Sequence, residues 1–265
     1  MIVRKTCREL WPMFLIYLLS MEIILVPAIV LWPDLKEVGD KLGFALVITI
    51  KAMNKSVFRD VLQAVQDYGD YYALQAFFKG VNVCSAAAAV LVGTGLISRE
   101  RENHTLEFLM TRPISPSRIL FEKFTVASVG TVIPIFLVAW SGIPLSSWLV
   151  GESLPFGGVT LAAWHSSIFV LGILAVTTLC SVIFRLQAHT ATVAGIFVVA
   201  NTTLFFIQTA REYSLFQLSD IDVYAPAIAG ERSASELFLS MQIWMIGSIV
   251  ILYLITDRLI RRIQL

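Results

Sequence analysis

Residues 98–123 read Ser-Arg-Glu-Arg-Glu-Asn-His-Thr-Leu-Glu-Phe-Leu-Met-Thr-Arg-Pro-Ile-Ser-Pro-Ser-Arg-Ile-Leu-Phe-Glu-Lys. Five Lys/Arg and four Glu fall within these 26 residues, and a long apolar run lies on each side. Hydrocarbon does not accept such a density of charge, so a connector of this kind projects into water between two membrane spans. Its basic residues place that water on the cytoplasmic side.

The composition around it agrees. Hydrophobic residues make up 57% of the chain and charged ones 15%, and the mean hydropathy is +0.78. Soluble domains are about 45–50% apolar and about 25% charged. Six runs are long enough to span, given that about 20 apolar residues cross a bilayer. They cover roughly 12–32, 78–97, 124–149, 160–184, 189–210 and 239–257. The expected fold is therefore an all-α integral membrane protein of one domain, residues 1–265. Leu42–Ile50 is too short to be a seventh span, and the basic start of the chain, Arg4, Lys5 and Arg8, reads as the flank of a retained first span rather than a signal peptide. Trp11 and Trp32 bracket the first span, where aromatic rings favour the interface.

The distribution of charge gives the orientation. With both termini inside, segments 1–11, 98–123, 185–188 and 258–265 hold 12 of the 20 Lys and Arg in only 49 positions. Loops 33–77 and 211–238 instead carry 11 Asp and Glu. The chain is thus expected to be multi-pass in a plasma (bacterial or archaeal inner) membrane with cytoplasmic termini. In the first outer loop, Val61, Leu62, Val65, Tyr68, Tyr72 and Leu74 recur near helical spacing. They predict an interfacial amphipathic segment before span two, lying on lipid or capping the bundle.

Within the connector, Leu106, Leu109 and Met110 share one face of a short helix that Arg112-Pro113 stops, because proline disfavours helix in the residue before it. Ser115 then reads as an N-cap with Pro116 at the first helical position. A short helix, a break and a new helix form a shape that docks into a groove on a soluble partner.

The pattern Glu100-Arg101-Glu102-x-x-Thr105-Leu106-Glu107-x-Leu109-x-x-x-Pro113-x-Ser115-x-x-x-Ile119-x-x-x-Lys123 resembles the signature of the ABC-2 family, the permease subunits of type-2 ABC exporters. His104, Glu122 and the Pro116-Ser117 pair depart from the family's usual residues. The resemblance implies that this segment is the coupling helix, and that Glu100, Glu102, Thr105, Leu106, Glu107, Leu109 and Pro113 meet an ATPase subunit. The chain has no GxxxxGK[ST] phosphate loop. ATP and Mg are then expected on a separate ATPase, present in two copies, and no cofactor on this chain. Six spans are half of such a transporter, so a second permease chain, identical or related, is implied beside the lipid bilayer. No nucleic acid is expected.

Sites inside the membrane are sparser. Glu22, five residues before Pro27, is a carboxylate at depth, which needs a partner or its proton. Asn201, Thr202 and Thr203 cluster in span five. All four are candidates for a substrate path, with pairing between helices as the alternative. The three histidines lack HxxxH spacing and the three cysteines lack CxxC, so no metal site is expected. The absence of HExxH and GxSxG leaves no catalytic set for an intramembrane enzyme. A channel or secondary transporter is the other alternative, for which an inverted repeat is missing.

Overall fold

A computed structural model describes residues 2–37, 67–105, 114–207 and 209–262. It is an all-α membrane protein with, among the described residues, six helices long and apolar enough to cross a bilayer. They run Val3–Val30, Tyr68–Glu102, Pro116–Val150, Phe156–Ile183, Gln187–Phe206 and Ala234–Arg262. Several are longer than their apolar runs. Span three has 35 residues, about 52 Å at 1.5 Å per residue against a hydrocarbon core of about 30 Å. Hydropathy marks the stretch that lies in lipid; the helix continues into water on charged residues that are equally good helix formers.

Span four is the hub. Its apolar window is 72% buried, against 22%, 17% and 11% for spans one, five and six. It packs against spans two, three, five and six, and small residues such as Ala162, Ala163, Ser166 and Ser167 let those helices approach. Span one lies along span three.

At the end of the bundle away from the connector, aromatic side chains close the core. Trp32 packs on Tyr68 and Tyr71, with ring centroids 5.3 and 4.9 Å apart. Tyr68 and Tyr71 donate to Ser146 Oγ at 2.5 Å and to the Ala28 carbonyl at 2.6 Å. Of the segment expected at the interface, Val61, Leu62 and Val65 lie outside the described residues. Tyr68, Tyr72 and Leu74 are buried in the bundle as the start of span two. Span two continues as a π-helical stretch, Ala73–Asn82, before becoming regular at Val83–Gly95.

The connection between spans five and six is also packed inward. Helix Ile221–Ala229 buries Ile221, Val223, Tyr224, Ala227 and Ile228, and ends at Gly230 in the left-handed conformation (φ 78°). Nine residues cannot span, so hydropathy alone reads them as loop; a short apolar helix is accommodated because spans two and four leave it a seat. Asp220 at its start is ion-paired with Arg211. Burial pushes the Asp220 carboxyl above its ordinary range, against the pull of that arginine. Tyr224 joins the seat through Asn82 Nδ2 (2.9 Å) and Ser166 Oγ (2.9 Å), and His165 beside it donates from Nε2 to the Leu218 carbonyl at 2.7 Å.

Gly158 sits where span four passes this helix. A Cβ there would overlap the Ala227 and Ile228 carbonyl oxygens, which are backbone and cannot swing away, whereas a Cβ on Gly157 meets nothing within 4 Å. Gly158→Ala is therefore expected to cost on the order of 1–3 kcal/mol, read as a lower thermal unfolding midpoint in detergent. Gly157→Ala should leave the midpoint unchanged or higher. Equal effects of the two would contradict the close approach.

Candidate functional site

The functional region is built where the connector leaves span two and enters span three. Span two breaks at Leu96–Ile97 and resumes as the single turn Ser98–Glu102. The break frees two backbone N–H groups that burial would leave unpaired. Ser181 of span four meets both: its Oγ accepts from Ile97 and Ser98, each at 2.9 Å, and donates to the Thr94 carbonyl at 3.2 Å.

That turn places Glu100 inside the protein, 6% exposed. One carboxylate oxygen accepts from Lys123 Nζ at 3.0 Å and from Lys5 Nζ at 3.1 Å. The other accepts from the Thr105 hydroxyl. Lys123, 5% exposed, gives a further hydrogen bond to the Leu96 carbonyl at 2.8 Å. The pair therefore ties the last turn before residues 106–113 to the first turns after them, and Lys5 draws in the start of span one.

The neighbouring charges close the remaining helix ends. Arg101 donates to the Val182 carbonyl at 2.6 Å, satisfying an orphan acceptor at the end of span four. Glu102 accepts from the Gln187 N–H at 3.0 Å and so caps the start of span five, where a negative charge is favoured by the helix dipole. Ser115 caps span three through Arg118 N–H, with Pro116 next in the first turn. Arg261 near the end of span six reaches Ser117 at 2.7 Å. All six spans thus meet at the two ends of the connector.

The residues singled out from the sequence separate accordingly. Glu100 faces inward and is saturated by internal partners, not presented at a surface. Glu102 is exposed, with one oxygen occupied by span five. Thr105 is half-buried on Glu100. Leu106, Glu107, Leu109 and Pro113 lie outside the described residues. Among the membrane candidates, Glu22 accepts from Ser141 Oγ of span three at 2.7 Å. Asn201 accepts from the Leu215 N–H at 3.1 Å, and its carbonyl takes the Ser214 hydroxyl at 2.7 Å, so it holds the turn after span five. Thr202 and Thr203 donate to carbonyls one turn back in their own helix, each at 2.9 Å. No hydrogen bond joins Glu22 to this cluster among the described residues. Nor do those residues bring three His, Cys, Asp or Glu side chains together as a metal site. Sequence reasoning passed over Lys5, Lys123, Ser181 and Gln187 as site residues. Lys123 alone carried a signal, as the last position of the motif.

A buried charge that loses its partner is left without water or counter-ion, at a cost of about 3–5 kcal/mol, whereas replacing both charges by apolar or neutral groups is far milder. Lys123→Met alone is expected to lower the unfolding midpoint sharply, and Glu100→Gln added to it should restore most of the loss. A double variant as unstable as the sum of the single ones would show that the two do not act as a pair.

Comparison with curated proteins finds no match for the chain. Comparison with protein families does: the model described as ABC-2 family transporter protein matches residues 10–255. That span takes in the connector and nearly the whole membrane bundle, and on it the chain belongs to the ABC-2 family, as a membrane permease of an ABC transporter, a family that implies an ABC ATPase partner.

Proposed function

We propose that this permease works in an exporter, with a separate ATPase subunit docked on the connector and the ion-paired clamp carrying ATPase motion into the spans. The observation that carries the reading is the Glu100–Lys123 pair, which brackets residues 106–113 and ties both ends of that segment to the bundle. A flexible loop would absorb a push from a partner; a segment anchored at both ends passes it on. Leu106 and Leu109 would fill the partner's groove, with Glu107 at its rim. ATP and Mg would sit on two ATPase copies, one under each of two permease chains. Span five would supply a face for the second permease through its exposed stripe Thr192, Ile196, Val199 and Thr203. Glu22 and the Asn201–Thr203 cluster would then border the path between the two chains. The basic asymmetry of the chain supports cytoplasmic termini in a plasma membrane, with the connector on the ATP side.

The test is retention of the ATPase. In the chain carrying Glu107→Lys and Leu109→Glu, ATPase recovered by affinity pull-down should fall at least about tenfold, because one change reverses a rim charge and the other places a carboxylate in an apolar groove. The size and unfolding midpoint of the permease should stay as they are. Wild-type recovery of the ATPase would refute docking through this segment.

A further inference from the structure

Spans one and two enclose a groove that the transport reading leaves unused. Its inner part is a cavity of about 260 Å³, lined almost entirely by carbon from Met13, Tyr17, Cys84, Ala88, Leu91 and Val92. The lining runs from Met13 to Ser20 on one helix and from Cys84 to Val92 on the other, so at 1.5 Å per residue the slot is roughly 12 Å long. An apolar slot of that length between two helices suits an extended alkyl chain. The polar atoms beside it are already engaged. The Tyr17 hydroxyl is bonded to Ser85, and Ser20 donates to the Tyr17 carbonyl at 2.7 Å. Ile16 and Leu91, 68% and 58% exposed, flank the opening toward lipid.

Toward the connector the slot runs into a second, smaller cavity that shares Met13, Leu91 and Val92 and is walled by Glu9, Arg99, Glu100, Lys123 and Gln187. Here the charges can be counted. Lys5 is paired with Glu9 at 3.7 Å and with Glu100 at 3.1 Å, and Lys123 with Glu100 at 3.0 Å. The Arg99 side chain has no hydrogen bond or ion pair among the described residues. The two lysines are thus held by carboxylates, and the exposed Arg99 guanidinium is left at the mouth to meet an outside anion.

We propose that this continuous groove binds an anionic membrane phospholipid from the connector-side leaflet, one acyl chain in the slot and the phosphate at Arg99. A chain that moves from bilayer to slot gains no hydrophobic free energy, since both are hydrocarbon. What it gains is packing against a wall that otherwise lacks partner atoms. Selection among lipids therefore falls to the charge-assisted contact at the mouth. The site is independent of the ATPase and of export.

The test is native mass spectrometry of the complete transporter, delipidated in detergent and titrated with phosphatidylglycerol or phosphatidylcholine of matched chains. Phosphatidylglycerol should bind about tenfold more tightly, the size of one charge-assisted contact, at one lipid per permease chain. Arg99→Gln should erase the preference, and Ala88→Phe should weaken both lipids by filling the slot. Because a bulkier residue can disturb folding, Cys84 supplies a second readout. In a Cys7→Ser, Cys180→Ser chain, phosphatidylglycerol should slow maleimide reaction at Cys84 more than phosphatidylcholine does, and Arg99→Gln should remove that difference. Equal affinities, a preference that survives Arg99→Gln, Cys84 reactivity indifferent to lipid, or no bound lipid because a second permease covers the groove would each overturn the assignment.

Discussion

Everything at the connector end depends on a carboxylate taken out of water. Desolvating Glu100 and Lys123 costs several kcal/mol per ion, which attraction repays only when geometry is good and the remaining lone pairs are filled. Here they are filled by Lys5, Thr105 and the Leu96 carbonyl. A pair of well-packed apolar residues would hold these helices at least as strongly, so stability alone does not explain the charges. Their distinctive contribution is direction. A salt bridge fixed at both ends by further hydrogen bonds holds its helices in one arrangement.

From that fixed point the rest of the bundle follows. The broken end of span two is held by Ser181, which links the connector directly to span four, the buried hub. Arg101 and Glu102 bind the adjoining ends of spans four and five. At the far end aromatic rings, tyrosine hydroxyls and a short helix seated against a glycine carry most of the links, with the Arg211–Asp220 and Lys36–Glu152 pairs beside them. A network of buried charge at the end that meets the connector suits a bundle driven from that end.

The membrane class and the six spans were legible in the sequence because twenty apolar residues in a row have few other fates. The connector was legible because its charges interrupt that rule. The inward turn of Glu100 was not. Its partners stand 23 and 95 positions away, and a glutamate between two arginines reads locally as a solvated charge. The Ile221–Ala229 helix was missed for the opposite reason, being apolar but too short to announce itself. Asn201 drew attention as a polar residue at depth; its actual bonds, to Ser214 and Leu215, depend on a turn that no periodicity predicts. The long helical ends of span two escaped because hydropathy senses lipid, not helix, whereas the extended start of span three was legible in Ser115 and Pro116.

The central claim is that the Glu100–Lys123 clamp transmits ATPase closure through the bundle. It is tested most directly by distance measurement between nitroxide labels replacing Trp148 and Tyr213, both 80% exposed and both at the end away from the connector. In the reconstituted complex, trapping ATP should shift that distance. With Glu100→Gln and Lys123→Met together, the ATPase should remain bound and hydrolyse ATP while the shift disappears. A shift of wild-type amplitude in the double variant would contradict the account.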